Sequence, residues 1–271
     1  MSRTSAEKRA AFRVLHSQGC FVLPNPWDAG SARVLQHLGF AALASTSAGY
    51  AWSTGRPDYA VTLEDVVEHL KTLCKSVDLP VNADFENGFA SDPSELVSNV
   101  TLAIQAGVAG LSIEDRKLGN VGSLYETPVA VERIKAARKA IDDSDEEVIL
   151  VARTEGLLID SSEVTKAIDK LVALADAGAD CLYAPGVRSK DDISAMVRAV
   201  APKPLNVLAM GSEMNLSEFA DLGVRRVSVG GALALVSWNA LMDAAEKLKA
   251  GSFGGRSAGT TGGQLNAIFA K

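Results

Sequence analysis

The sequence has few cysteines, no long apolar run and no excess of positive charge. Its three cysteines, Cys20, Cys74 and Cys181, are far apart and odd in number, a pattern unlike a disulfide framework and typical of a reducing compartment. No stretch approaches the length of a membrane span, and residues 1–13 are charged and lack the apolar core of a signal peptide. We therefore expect a cytoplasmic protein without membrane contacts.

The charge of the chain restricts its partners. The formal net charge is -6 and no basic patch stands out, which argues against nucleic acid as a partner. A small anion remains compatible with this charge, because one or two local arginines or a metal ion can bind it. The length of 271 residues, with 47% hydrophobic and 22% charged residues, suits one large α/β domain.

One pattern recurs along the chain: a helix that ends in glycine is followed by a short apolar strand. Glycine is favoured just after a helix because it adopts the left-handed conformation without strain. Nearly continuous apolar strands are typical of a parallel sheet that is covered on both faces. The four copies lie at residues 38–45, 106–114, 177–183 and 222–229, and further strands are predicted at 20–23, 81–84, 148–153 and 204–208.

Eight strands separated by amphipathic helices predict a (β/α)8 TIM barrel over residues 1–250. An open, doubly wound sheet is the alternative, but no GxGxxG follows the first strand. Residues 251–271 form a Gly-rich linker and a C-terminal tail in this interpretation. The last eight residues are read either as a docking segment or as a frayed end.

Active sites of such barrels lie at the carboxyl ends of the strands. Asp84, Glu86 and Glu114 follow two neighbouring predicted strands, and carboxylates this close need a cation or must share protons. Because no histidine or cysteine is near, the oxygen ligands favour Mg²⁺, or Mn²⁺, over zinc. The alternative is that these carboxylates cap helices or pair with Arg116 or Arg153.

Other polar groups at the strand ends are candidates for substrate binding. Arg153 ends an apolar strand and presents a planar fork suited to a carboxylate or phosphonate, although a salt bridge to a neighbouring glutamate explains it equally well. Thr46, Ser47 and Ala48 offer hydroxyls and backbone N–H groups as an anion cradle. Asn206, in the predicted seventh strand, completes the predicted substrate-binding set.

Five motifs occur in order and together resemble the isocitrate lyase/phosphoenolpyruvate mutase superfamily. The resemblance covers roughly residues 10–250, and the ordered set is far more specific than any single motif. The motifs lie at residues 25–33, at 46–49 together with 55–58, at 83–89, at 113–115 and at 152–154.

The resemblance implies a fold and a chemistry. It implies a barrel whose eighth helix is exchanged between the subunits of a dimer or tetramer, and Mg²⁺-assisted reactions of 2-oxo acids through an enolate. Asp84 matches the direct metal ligand and Glu86 the second acid of that motif. Asp58 and Glu114 match carboxylates that hold metal-bound waters.

The same resemblance assigns the substrate contacts. Arg153 matches the arginine that grips the anionic group of the substrate, and Ser47 and Ala48 fall in the backbone cradle. Asp58, Glu114 and Arg153 are therefore the predicted catalytic residues.

The loop at residues 116–125 departs from the family pattern. It contains neither the Lys-Lys/Arg-Cys-Gly-His of the isocitrate lyases nor the Lys-Thr-Asn-Ser of the mutases. The sequence thus favours an Mg²⁺-dependent lyase, a homo-oligomer that cleaves a C–C bond in a small oxaloacetate-like 2-oxo acid. Phosphorus–carbon chemistry of the mutase or phosphonopyruvate hydrolase kind and a non-catalytic 2-oxo-acid-binding protein remain alternatives.

Overall fold

The computed structural model describes residues 2–254 and 259–270. All eight predicted strands are present, and the loop after the fourth contains two more. In chain order the strands are β1 (Phe21–Leu23), β2 (Leu43–Ala44), β3 (Val81–Asp84), β4 (Gly110–Glu114), β5 (Arg116–Lys117), β6 (Asn120–Leu124), β7 (Ile149–Arg153), β8 (Cys181–Tyr183), β9 (Leu205–Leu208) and β10 (Arg226–Ser228).

Eight of these strands form one parallel sheet in the order β1-β10-β9-β8-β7-β4-β3-β2. The two edge strands meet, because the backbone N–H of Ala44 donates to the carbonyl of Pro24, just after β1, at 3.0 Å. The sheet therefore curls into a nearly closed barrel. The predicted (β/α)8 fold is confirmed.

Helices cover the outside of the barrel and follow local sequence signals. In α4, for example, Thr62 and Asp65 form a capping box, and Pro93 begins α5 after the Asp92 cap, as expected at helix N-termini. The helices are α1 (Ser5–Ser17), α2 (Ala29–His37), α3 (Ser47–Ser53), α4 (Leu63–Ser76), α5 (Pro93–Gln105), α6 (Thr127–Asp143), α7 (Gly156–Ile159), α8 (Val164–Asp176), α9 (Lys190–Val200), α10 (Leu216–Asp221), α11 (Ala232–Lys249) and α12 (Gly262–Phe269).

The apolar core has two layers. The larger lies between the strands and the surrounding helices, and the smaller fills the inside of the barrel, where Leu23, Val151 and Cys181 meet Phe12 of α1. Helix α1 closes the bottom of the barrel, opposite the carboxyl ends of the strands. Arg9 holds it there by donating to the carbonyls of Ile104 at 2.8 Å and Val108 at 3.0 Å.

The loop at residues 116–125 is a β-hairpin, which the sequence did not predict. Strands β5 and β6 pair antiparallel, and Gly119 takes the positive φ of 73° that the tight turn requires. The base of the hairpin is fixed: Tyr125 N–H donates to the Asp115 carbonyl at 2.7 Å, and Lys170 donates to the carbonyl of Tyr125, also at 2.7 Å.

The C-terminal helices differ in how they contact the barrel. Of the 18 residues of α11 only Ala234 is buried, so this eighth barrel helix projects from the fold with apolar side chains exposed. Helix α12 packs on α2, and Arg33 donates to the Phe269 carbonyl at 2.9 Å. Part of the predicted linker, residues 255–258, lies outside the described residues. Within the described ranges, no helix has the length and apolarity needed to cross a lipid bilayer.

Candidate active site

A cavity of about 270 Å³ opens at the carboxyl ends of the barrel strands. It is large enough for a small organic acid, and charged and polar side chains form part of its wall. The structure brings seven of the predicted site residues to its wall, namely Thr46, Ser47, Ala48, Asp58, Asp84, Arg153 and Asn206. Glu86 and Glu114 are not part of this wall.

The carboxylate of Asp84 is held from two sides. Its Oδ2 accepts a hydrogen bond from the Ser47 backbone N–H at 2.9 Å, and its Oδ1 accepts one from Arg153 Nη1 at 3.2 Å. The Asp84 N–H in turn donates to Ser45 Oγ at 2.8 Å. Since each contact comes from a different strand end or helix start, the carboxylate keeps a fixed orientation in the cavity.

Arg153 is surrounded by negative charge. Besides Asp84, its Nη1 lies 3.4 Å from Glu114 Oε2, and its Nε donates to Glu155. Its guanidinium also lies over the ring of Tyr183, with 5.2 Å to the centroid. The sequence allowed two roles for Arg153, a structural salt bridge or contact with the substrate. The salt bridge is present, and the same guanidinium also borders the cavity.

Glu86 and Glu114 are buried next to the cavity, with 5% and 2% of their surface exposed. Burial raises the pKa of Glu86 to about 9, and the charges of Asp84, Glu114 and Asp58 add to the effect. Burial also raises the pKa of Glu114, against the opposing effect of Arg153. Glu86 stands at a positive φ of 46°, and its buried Oε1 accepts no hydrogen bond from the described residues.

The donor set fits a hydrated divalent cation held by one direct carboxylate. In residues 2–254 and 259–270, no three Asp, Glu, His or Cys side chains are grouped so that they could hold one ion. The metal set of Asp84, Glu86 and Glu114 stays a prediction. Asp84 borders the cavity, and Glu86 offers an oxygen that lacks a partner. Mg²⁺ keeps several of its waters and binds through one or two carboxylates, which is compatible with this arrangement.

Asp58 lies beside Asp84 in the wall of the cavity. It is half-buried, and its Oδ1 accepts a hydrogen bond from the Tyr59 N–H at 3.1 Å. Burial and then the charge of Asp84 raise its pKa. An acid whose pKa moves toward neutrality is better suited to exchange protons at pH 7.

The predicted anion cradle is the start of α3. Thr46 is the N-cap, and its hydroxyl accepts from the Gly49 N–H at 3.2 Å, while the Ser47 N–H is engaged by Asp84. The Thr46 hydroxyl therefore stabilises the helix start. The cradle prediction for Ser47 and Ala48 stays a prediction, since both border the cavity.

Gly230 and Gly231 lie between β10 and α11, a position at which many barrels of this kind bind phosphate. The N–H of Gly230 is taken by Asn25 Oδ1 at 2.9 Å, and a Cβ on Gly231 would lie 3.1 Å from the Trp52 ring. Close packing therefore requires small residues here, and the structure gives no support to a phosphate site at this turn.

Several residues of the site were not predicted from the sequence. Asn25 joins the ends of β1 and β10, and Tyr183 and Arg226 point into the barrel from within their strands. An inward position follows only from the register of the sheet, so no sequence signal identified them. Five of the unpredicted wall residues are Asn25, Tyr59, Tyr183, Arg226 and Ser228.

Comparisons with known proteins agree with this fold. The sequence matches the family described as phosphoenolpyruvate phosphomutase over residues 12–249. A crystal structure from Burkholderia cenocepacia J2315, described as a "putative lyase/mutase", is 43% identical, covers 98% of both chains and has a TM-score of 0.94. An oxaloacetate decarboxylase of Pseudomonas aeruginosa is 31% identical over 88% of this chain and 84% of its own. Oxaloacetate acetylhydrolase with bound oxalate is 27% identical over 98% of this chain and 94% of its own, with a TM-score of 0.88.

The family match over residues 12–249 defines the class of protein. The chain belongs to the phosphoenolpyruvate phosphomutase family, within the isocitrate lyase/phosphoenolpyruvate mutase superfamily. It is therefore an enzyme of the lyase or mutase kind. The predicted resemblance is confirmed, and the alternative of a non-catalytic binding protein is set aside.

Proposed function

We propose that the enzyme is an Mg²⁺-dependent carbon–carbon lyase that cleaves a small 2-oxo carboxylate of the oxaloacetate type. The observation that carries this proposal is the fixed Asp84 carboxylate beside Arg153 in a cavity of about 270 Å³. Mn²⁺ is a plausible substitute for Mg²⁺ because both prefer oxygen ligands. Relatives named oxaloacetate decarboxylase and oxaloacetate acetylhydrolase support the choice of substrate class.

Asp84 and Arg153 each have a part in such a reaction. Mg²⁺ at Asp84 would polarise the 2-oxo group and offset the negative charge that develops when the C–C bond breaks. Arg153 binds the anionic end of the substrate through its planar fork. In a decarboxylation CO2 leaves, the bonding electrons form an enolate, and a proton adds to the carbon that lost CO2.

The proton source needs a separate assignment, because this chain lacks the loop cysteine and histidine of the isocitrate lyase pattern. The hairpin at residues 116–124 contains neither cysteine nor histidine. Asp58 borders the cavity and has a raised pKa because of burial and Asp84. We assign to Asp58 the role of holding the water or proton that quenches the enolate, with Glu114 positioning Arg153 from the other side.

The test is a turnover assay with oxaloacetate, in which pyruvate formation is followed against the spontaneous rate at the same Mg²⁺ concentration. We expect turnover that requires the divalent ion and is lost in Asp58→Asn. The exposed Asp143→Asn on α6 is the matched control and should keep full activity. Absence of oxaloacetate turnover above the spontaneous rate would contradict the proposal.

Phosphorus–carbon chemistry is the second candidate, because the matching family is described by the phosphomutase reaction. Its test is phosphorus NMR of phosphonopyruvate incubated with the enzyme. Conversion of phosphonopyruvate without conversion of oxaloacetate would establish this alternative. The proposal predicts the reverse, since the hairpin lacks the Lys-Thr-Asn-Ser of the mutases.

The assembly of the enzyme is also a proposal. Helix α11 is 18 residues long and leaves Leu235, Val236, Leu241 and Met242 exposed to between 40% and 66%. Several large apolar side chains exposed along one helix mark a protein–protein contact. We propose that a second copy of this chain covers it, in a homo-oligomer that exchanges this helix. The partners are then a small anionic 2-oxo acid and further copies of the chain.

A further inference from the structure

Arg226 lies inside the barrel, below the candidate active site. It is 3% exposed and borders the cavity. It precedes Ser228 by two residues on β10, so both side chains face the barrel interior, about 7 Å apart along the strand. The same relation holds between Asn82 and Asp84 on β3. Arg226 and Asn82 therefore belong to a deeper layer of the cavity than Asp84 and Ser228.

The partners of Arg226 are all uncharged. Its Nε donates to Asn206 Oδ1 at 2.9 Å, and its Nη1 lies 3.3 Å from both Asn82 Oδ1 and His16 Nε2. Burial and then the charge of Arg226 lower the pKa of His16 to about 3, so that ring is neutral at pH 7. Within the described part of the chain, no carboxylate forms an ion pair with Arg226.

Arg226 differs from the other buried arginines in the combination of its partners and the space beside it. A buried charge without a counter-ion is costly, and Arg153 and Arg9 accordingly pair with glutamates. Arg133 also has neutral partners, the carbonyls of Asn87 and Ser91, but the small void beside it has a volume of about 10 Å³. Among the buried arginines in residues 2–254 and 259–270, neutral partners and a cavity of ligand size coincide only at Arg226.

The guanidinium of Arg226 also has capacity for another acceptor. Its Nε and Nη1 are used by the residues named above, whereas Nη2 donates to no residue within the described ranges. Asn206 completes the geometry, because its Oδ1 is taken by Arg226 and its Nδ2 donates to Ser228 Oγ at 3.0 Å. Arg226 is thus held in one orientation beside the cavity.

We propose that Arg226, with Asn82, Asn206 and Ser228, forms a carboxylate-binding subsite in the depth of the cavity. A planar carboxylate matches the guanidinium and supplies the missing negative charge. Two sources share this chemistry: the second carboxylate of a dicarboxylic substrate, and a free small anion such as formate or bicarbonate. The link to the substrate rests on the proposed function, whereas the subsite itself needs neither the metal nor turnover.

The imidazole of His16 is a reporter for this subsite, because it contacts Arg226 directly. We would record NMR spectra of the histidine rings of the wild-type enzyme in EDTA, which removes divalent ions and prevents metal-dependent turnover. Formate, fresh oxaloacetate and 2-oxobutyrate, which has a methyl group in place of the second carboxylate, are the three probes. His37 and His69 lie elsewhere and serve as internal controls.

We expect oxaloacetate to shift the His16 signals saturably and to bind at least about tenfold more tightly than 2-oxobutyrate, as a charge-assisted hydrogen bond implies. Saturable shifts with formate, and no preference for oxaloacetate, would support the subsite with a free anion as its ligand. No saturable shift of His16 with any of the three probes would overturn the proposal, whether or not the enzyme turns over oxaloacetate.

Arg226→Met provides a second test with a side chain of similar length and no charge. In this variant the preference for oxaloacetate over 2-oxobutyrate should disappear, and Arg226→Lys should retain part of it. An unchanged preference in a folded Arg226→Met enzyme would contradict the proposal. If the variant does not fold, the wild-type NMR titration still decides.

Discussion

Arg153 contacts three carboxylates and one aromatic ring at the same time. Its planar fork makes these contacts possible, and a lysine provides only a point charge on a flexible chain. We expect Arg153→Lys to raise the KM for oxaloacetate about tenfold or more, because one charge-assisted hydrogen bond of the fork is lost. Steady-state kinetics with oxaloacetate measure the KM of the wild type and of the variant. Lys139→Arg on the exposed face of α6 is the control, and a wild-type KM in Arg153→Lys would mean that Arg153 is purely structural.

The buried His69 leads us to expect that the stability of the fold depends on pH. It is buried in α4 and stacked on Tyr50 at 3.9 Å, and burial lowers its pKa to about 4 from an ordinary 6.5. Since the folded-state pKa is depressed, the unfolded chain binds more protons below pH 6.5. The fold therefore loses stability as the pH falls from 6.5 toward 4, by about 3 kcal/mol for this group.

His69→Phe checks this expectation, because it keeps a ring against Tyr50 and removes the titration. Urea unfolding of this variant between pH 7 and pH 4 should show a weaker loss of stability than in the wild-type enzyme. His37→Gln is the control on an exposed histidine. Identical pH profiles for the wild type and His69→Phe would refute the assignment.

At the scale of residues, the sequence predicted the polar residues that end strands and, apart from Asn206, missed those within strands. Asp84 and Arg153 stand at strand ends, where polarity after an apolar run is visible. Arg226 stands in a strand beside Arg225, and nothing in the sequence tells which of the two faces inward. Tyr183 is hidden in the same way, because an aromatic residue fits a buried strand equally well.

At the scale of elements, the hairpin β5–β6 depends on one buried ion pair at its base. Lys170 of α8 contacts Asp115 Oδ2 at 2.6 Å, and both side chains are largely buried. Loss of the lysine leaves a buried carboxylate without its counter-charge, so we expect Lys170→Met to cost about 3 kcal/mol of unfolding free energy. Lys166→Met on the same helix removes an exposed lysine and should change little. Equal stabilities of the two variants in chemical denaturation would contradict this account.

The elements themselves were predicted unevenly. Four of the eight barrel strands were found because their apolar runs follow glycine at helix ends, and the other four were found as short apolar runs outside these copies. The hairpin escaped prediction because its strands have two and five residues and little apolar patterning. The short helix α3 was not predicted as a helix, because the sequence at its start, Thr46 and Ser47, was interpreted as an anion cradle.

At the scale of the whole molecule, the exposed apolar side chains of α11 lead to the main prediction, which concerns oligomerisation. Leu235 and Met242, and likewise Leu241 and Leu248, are seven residues apart and so share faces of the helix. We expect light scattering to give a multiple of the 28.4 kDa chain mass, and Leu241→Glu with Met242→Glu to shift the enzyme toward monomer. Glu246→Lys on the same helix is the control. A wild-type monomer at micromolar concentration would contradict the proposed exchange.

The central claim is that Asp84 at the barrel mouth is the direct ligand of Mg²⁺. The most direct measurement is calorimetric titration of Mg²⁺ into the wild-type enzyme and into Asp84→Ala, with circular dichroism to verify the fold. Arg153 keeps Glu114 and Glu155 as partners in the variant, so the barrel should remain folded. We predict that Asp84→Ala abolishes Mg²⁺ binding, whereas unchanged Mg²⁺ affinity in the folded variant would contradict the account.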